Sequence, residues 1–193
     1  MNKTVDNYLK ITENNPPSPW LPEAIKILNK KDCALDLGCG SGRDTKYLLE
    51  QGFVVTAVDK ELESEIYIKK LPQDNLTFIL SKFEDFNFEK EKYNLINAQF
   101  SLPFIDRDRF NEVFEKIKLS LKTGGVFVGQ LFGINDDWNK SKITRTTFHT
   151  KEEARRLFED MKIIRFIEKD YYGKIDDGTP KHWHVFHILS VKD

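Results

Sequence analysis

Cysteine is scarce. Two thiols, Cys33 and Cys39, in 193 residues cannot build a disulfide framework, so the chain must be held by a hydrophobic core, for which 39% hydrophobic residues suffice. Long apolar runs are also missing. None approaches the roughly 20 residues that cross a bilayer, and the opening stretch MNKTVDNYLK has no apolar signal-peptide core; the expectation is a cytoplasmic protein without membrane association. An excess of one charge is lacking too. Thirty Lys and Arg against 31 Asp and Glu leave a formal net charge of −1 with the signs interspersed, which speaks against nucleic acid and favours a small-molecule partner. No repeat, low-complexity tract or linker interrupts the chain, and 1–193 reads as one domain.

What is present is α/β alternation. After polar residues 1–15, Pro16-Pro17-Ser18-Pro19 leads into a helix that Ser18 can cap, with Pro19 at its first position and Trp20, Leu21, Ala24, Ile25 and Leu28 on one face. Strands are expected at Cys33 to Leu37, Phe53 to Val58, Leu76 to Leu80, Tyr93 to Ala98 and Val126 to Phe132. Helices between them carry Tyr47 to Leu49, Ser64 to Leu71, and Phe110 to Leu121 with Asp106 as its cap. Thr150-Lys151-Glu152-Glu153 is a capping box. Two last strands, Ile163 to Tyr172 and Trp183 to Val191, form a hairpin across a ten-residue loop containing Asp176-Asp177-Gly178. The expected fold is a doubly wound, mostly parallel sheet of about seven strands closed by a C-terminal antiparallel hairpin.

The first strand ends in glycines, in the stretch ALDLGCGSGRD (Ala34 to Asp44). Such a strand places bare backbone at the carboxyl edge of the sheet, where doubly wound folds bind ligands. The dinucleotide fingerprint G-x-G-x-x-G would need glycine at Arg43, so the spacing of Gly38, Gly40 and Gly42 argues against NAD. Asp59 ends the second strand, where a carboxylate accepts hydrogen bonds from a free ribose diol.

These residues, Leu35 to Gly42 with Asp59 behind them, resemble the first two motifs of the class I S-adenosylmethionine-dependent methyltransferases. Tyr93 to Phe104 is similar to that family's fourth-strand motif, and Leu121 to Gly125 to its turn into the fifth strand. The stretches GQLFGINDDW and KHWHVFHI resemble a bacterial small-molecule subgroup, loosely akin to tellurite-resistance methyltransferases. The resemblance implies a Rossmann-like fold: 1–30 an N-terminal helical segment, 31–132 the cofactor-binding half, 133–193 a half that helps form the acceptor pocket. It implies that Gly38 and Gly40 carry the methionine part of S-adenosylmethionine on their backbone, with Gly42 completing the cofactor-binding turn, Asp36 orienting the ammonium and Asn97 offering that group its carbonyl. Asp59 takes the ribose, and Lys60 covers one adenine face. Lys82 stands where the family has an aspartate, leaving adenine to the backbone of Lys82 and Phe83, or to Glu84. Asn94 replaces another common aspartate. Arg43 is expected on the helix surface and Asp44 as a first-turn acid.

His182, His184 and His187 lie on one strand, whose alternation puts the first two on one face and the third on the other. That excludes a metal site built from this strand alone. The alternatives are rings with their hydrogen bonds met, or a general base for methyl transfer at His182 or His184. Two other functions keep the same glycine turn: a non-catalytic binder of S-adenosylmethionine or a nucleoside, and a nucleotide-dependent oxidoreductase, which Arg43 disfavours.

Overall fold

The computed structural model describes residues 3–140, 145–175 and 178–193. Two helices, α1 (Lys3–Thr12) and α2 (Trp20–Ile27), precede β1 (Cys33–Leu37), α3 (Arg43–Glu50), β2 (Val54–Asp59), α4 (Ser64–Ile68) and β3 (Leu76–Leu80). Then come β4 (Tyr93–Ala98), a 3-10 turn at Leu102–Phe104, α5 (Phe110–Ser120), β5 (Leu121–Gly133), α6 (Asp137–Lys140), β6 (Phe148–His149), α7 (Lys151–Arg156), β7 (Met161–Lys174) and β8 (Pro180–Lys192). The sheet runs β3-β2-β1-β4-β5-β8-β7, with the two-residue β6 also on β5. Pairings from β3 to β5 are parallel, whereas β8 runs antiparallel to β5 and to β7. The expected fold is the observed one.

Both faces of the central strands are covered, which is why they read as continuous apolar runs rather than alternating ones. Leu35, Ile96, Phe127 and Phe186 pack with Phe114 of α5 and Phe158 just beyond α7 on one side. Their strand neighbours Ala34, Leu95, Val126 and Leu189 pack with Leu21 of α2 and Leu48 of α3 on the other. A fully buried Phe114 contributes about 2–3 kcal/mol of transfer free energy. Winding reverses between β1 and β4, which are neighbours, so the crevice beyond their carboxyl ends receives the turn after β1 and the segment after β4.

Before Pro16, α1 buries Leu9 while Tyr8 and Ile11 are exposed. Three local expectations are corrected. Ser18 does not cap α2: Pro19 is the N-cap, the Ser18 amide donates to Asp44 Oδ1 at 2.8 Å, and its hydroxyl accepts from Arg43. Asp106 does not cap α5, whose N-cap is Arg109; its carbonyl accepts the Arg109 amide in a preceding turn. The C-terminal hairpin pairs as far as Lys174 with Pro180, so its loop is shorter than ten residues; Asp176 and Asp177 lie outside the described residues. The capping box at Thr150 and Glu153 is formed on both sides. No helix among the described residues is long and apolar enough to cross a membrane.

Candidate functional site

The three glycines after β1 all have left-handed backbone, with φ of 75°, 53° and 78° for Gly38, Gly40 and Gly42, where a side chain is strained. What surrounds them differs. A Cβ on Gly38 would run into Ser101 after β4, and one on Gly42 would stand 2.8 Å from Ile68 Cδ1, so the protein itself occupies those two positions. At Gly40 the nearest atom is Leu9 Cδ2 at 3.4 Å. Helix α1 thus lies over the turn, and Thr12 Oγ1 and Ser41 Oγ join the two at 2.9 Å.

Asp59 holds this turn from the end of β2. Its Oδ2 accepts the Gly40 amide at 2.7 Å and its Oδ1 the Glu61 amide at 2.9 Å. Burial raises its pKa, opposed by those amides. Lys60 beside it is exposed and lies 3.8 Å from Glu61. Ser81, at the end of the neighbouring β3, donates its amide to the Asp59 carbonyl, which brings the following segment beside the acid. In that segment Lys82 is exposed, and its carbonyl accepts the Ser81 hydroxyl. Phe83 packs half-buried on the core, while Glu84 is committed to the Asp106 amide at 3.0 Å.

Beneath the turn lies a buried polar network. Asp36, 2% exposed, accepts Thr45 Oγ1 at 2.6 Å and Asn97 Nδ2 at 2.8 Å. The same Asn97 amide donates to Asp44 at 3.2 Å, and Arg43 grips Asp44 through two nitrogens. Arg43 is therefore not a free surface cation; its partner is the acid next to it. Burial, then the Asp44 charge, push the Asp36 carboxyl up to about 7. The Asn97 carbonyl accepts Gln99 Nε2 at 2.9 Å, so Asp36 and Asn97 face each other at this edge with protein partners.

The strand alternation separates the histidines as expected, and each ring has identifiable neighbours. His182 lies 2.9 Å from the Asn135 carbonyl through Nδ1 and 2.6 Å from Asp170 Oδ1 through Nε2. His184 is buried, accepts the Asn135 amide at Nδ1 and lies 3.1 Å from Glu168 through Nε2. His187, on the other face, approaches Gln130 through Nδ1 at 3.4 Å and stacks on Trp20 with ring centroids 5.6 Å apart. Burial holds its pKa down at about 4, so it is neutral. No group of three or more His, Cys, Asp or Glu arranged to hold a metal occurs among the described residues.

Three residues escaped the sequence. Ser101 is buried beside Gly38, and among the described residues its hydroxyl has no hydrogen-bond partner, an exception that calls for a reason in a buried polar group. Phe100 is one of two non-glycine residues with positive φ among the described residues, at 52°, and the residue is 41% exposed; such backbone costs about 1–3 kcal/mol. Gln130 of β5 fixes it by accepting the Phe100 amide at 2.7 Å, and donates to Gln99. In the sequence they are signalled only by the polarity of Gln99, just after the apolar β4, and of Gln130 within the apolar β5. A separate cavity of about 260 Å³, lined by residues such as Thr56, Ser81, Asn87 and Tyr93, includes no residue of the glycine turn.

A sheet that reverses after β3, a glycine turn clamped by an acid from β2, and an antiparallel pair at one edge define a Rossmann-like methyltransferase fold. The family model of the tellurite resistance protein TehB matches residues 3–186, and the chain belongs to that family. It is 29% identical over 148 residues to the probable S-adenosyl-L-methionine-dependent methyltransferase TehB of Haemophilus influenzae, covering 76% of this chain and 51% of that protein. The 18S rRNA (guanine(1575)-N(7))-methyltransferase of Saccharomyces cerevisiae is 28% identical over 129 residues, 59% of this chain and 46% of its own. The crystal structure of Haemophilus influenzae TehB aligns over 98% of this chain and 67% of that one, with a TM-score of 0.77 at 19% identity. The chain spans about half the length of the curated relatives it matches. The family resemblance read from the glycine motif and Asp59 is borne out.

Proposed function

We propose that the chain is an S-adenosylmethionine-dependent methyltransferase that moves the methyl group to a small-molecule acceptor by in-line displacement. The observation that carries this is the Asp59–Gly40 clamp at the crevice between β1 and β4, in a chain of this family. The residues present fit the cofactor: the Ser101 hydroxyl is buried and, among the described residues, unpartnered beside Gly38, and of the three turn glycines Gly40 is the one whose Cβ position the protein crowds least. On this reading Gly38, Gly40 and Ser101 hold the amino-acid part with Asp36 and Asn97 behind them. Asp59 takes the diol, and Lys60, Lys82 and Phe83 flank the adenine. Gly42 acts through packing against Ile68. When bound, S-adenosylmethionine supplies a methyl group already activated on a sulfonium.

The chain's own task is then to orient the acceptor and exclude water. We assign no general base. Either His182 or His184 would first have to give up a bond to Asn135, Asp170 or Glu168, and their role in this reading is to fix the 133–193 half over the edge. A small acceptor is supported by the balanced charge and by the aromatic residues that this half contributes. The test is calorimetry with S-adenosylhomocysteine and NAD, followed by a screen of acceptors for S-adenosylhomocysteine production. Binding of NAD alone would sink the proposal, and binding of S-adenosylhomocysteine with no turnover on any acceptor would leave a non-catalytic binder.

A further inference from the structure

The sheet ends in two edge strands, and they differ in kind. At one edge β7 carries Lys162, Arg165, Glu168, Lys169, Asp170 and Lys174, the charge pattern that keeps an edge from pairing. At the other, β3 reads LTFIL with no charge and no proline, and among the described residues it pairs only with β2. That ladder decides which of its backbone groups stay open. The Val55 amide donates to the Asn75 carbonyl and the Ser81 amide to the Asp59 carbonyl, so the odd-numbered residues of β3 bond to β2, while Leu76, Phe78 and Leu80 turn their N–H and C=O outward. The Leu76 amide closes a turn on the Gln73 carbonyl, whereas those of Phe78 and Leu80 have no partner among the described residues. Leu80 is 47% exposed, and Leu62 and Ile66, at the start and in the middle of the helix that packs on this strand, are exposed as well.

We propose that β3 pairs antiparallel with β3 of a second copy of this chain, about a two-fold axis at Phe78. Centred there, Leu76 faces Leu80 and Thr77 faces Ile79, and this is the register that uses all five residues of the strand. Phe78 exchanges both backbone bonds with its copy, and each Leu80 amide meets a Leu76 carbonyl. The charges beyond the strand's ends fit the same register. Asp74 stands four residues before Phe78 and Lys82 four residues after it, so each Lys82 faces the partner's Asp74, twice in the pair. Both side chains are exposed, and neither has an ion pair or a side-chain hydrogen bond among the described residues. Any shift of the register breaks both charge pairs and leaves strand residues unpaired. So short an edge makes a concentration-dependent pair rather than a permanent one. Lys82 opens the segment that flanks adenine, so the pair holds one wall of that site; this consequence rests on the methyl-transfer reading, and the pairing itself does not.

Sedimentation velocity without any ligand tests the pairing apart from the methyl-transfer reading. The wild-type mass is expected to rise from 22.6 kDa towards twice that value as the concentration goes from about 5 to about 500 μM. Asp74→Lys sets lysine against Lys82, and Lys82→Asp sets aspartate against Asp74. Each variant alone should self-associate at least tenfold more weakly, since like charges directly opposite one another repel. Mixed in equal amounts, the two variants should pair with each other about as well as wild type does with itself, because lysine then faces aspartate at both ends of the strand. The chain carrying both substitutions should regain self-association for the same reason. Both positions are exposed, and the restored pairing of the mixture shows that each variant is folded. A wild type that stays monomeric over the whole range overturns the proposal and leaves the edge to a strand of another protein. Self-association that survives in both single variants overturns it too, as does a mixture that stays as monomeric as its components.

Discussion

The Asp59 carboxylate accepts the Gly40 amide at 2.7 Å, tying the end of β2 to the middle of the glycine turn. One side chain thus shapes the turn and, on the proposed reading, offers its remaining lone pairs to a ligand diol. Asp59→Ala should weaken S-adenosylhomocysteine at least tenfold, consistent with about 1.5–3 kcal/mol for hydrogen bonds to a charged group. Asp59→Asn, which keeps an acceptor for Gly40, should fall between the variant and wild type. Calorimetry reads both, and wild-type affinity in Asp59→Ala would remove the residue from the site.

Two of the glycines should respond differently to the same substitution. Gly38→Ala drives a methyl group into Ser101, while Gly40→Ala meets only Leu9 at ordinary distance; the backbone strain is common to both. We expect Gly38→Ala to lose about 2–4 kcal/mol and Gly40→Ala about 1–2 kcal/mol. Urea denaturation compares them, and equal losses would show that strain alone sets the cost.

Most of this fold was legible because local and global preferences agree. Cys33 to Leu37, Leu76 to Leu80 and Tyr93 to Ala98 are short apolar runs bounded by breakers, and they are strands at those limits. The glycine motif and Asp59 were legible through their spacing. What stayed hidden depends on long-range contact. Helix α1 buries Leu9 against Gly40, 31 residues downstream, so its own sequence shows little apolar pattern. Arg43 reads as a surface cation until the fold brings Ser18 to it. The histidine strand displays its alternation, but not that Asn135, Asp170 and Glu168 wait for two of its rings. Nothing local to Phe100 announces a positive φ.

The ion pair of Lys181 and Asp136 should be a fragile part of the C-terminal half. Both side chains are nearly inaccessible, at 3% and 0% exposure, and Asp136 also accepts the amides of Trp138 and His184. Lys181→Met leaves a buried carboxylate without its cation, at a cost of about 3–5 kcal/mol. Adding Asp136→Asn should recover part of that loss, since an amide oxygen still accepts from both backbone groups. Denaturation midpoints of the single and double variants check this, and a double variant no more stable than Lys181→Met would place the cost in lost packing on the tryptophans.

On the proposed methyl-transfer reading, Asp36 makes cofactor binding a proton-linked event. Its carboxyl is raised to about 7 by burial and by Asp44, well above the unfolded value, so the native state holds a proton there between roughly pH 4 and 7. For stability the sign is that of a raised acid: its contribution is most favourable below the unfolded pKa and is lost as pH rises through the folded one. A ligand ammonium held at this edge would favour the carboxylate and expel that proton. Affinity for S-adenosylhomocysteine is therefore expected to rise with pH and level off above about pH 7. At about pH 6, its binding enthalpy should vary with the ionisation enthalpy of the buffer, showing proton release. Asp36→Asn should abolish both effects and flatten the stability profile over the same interval. A wild-type binding enthalpy that is the same in every buffer would mean that Asp36 does not answer the ligand's charge, leaving it a structural partner of Thr45 and Asn97.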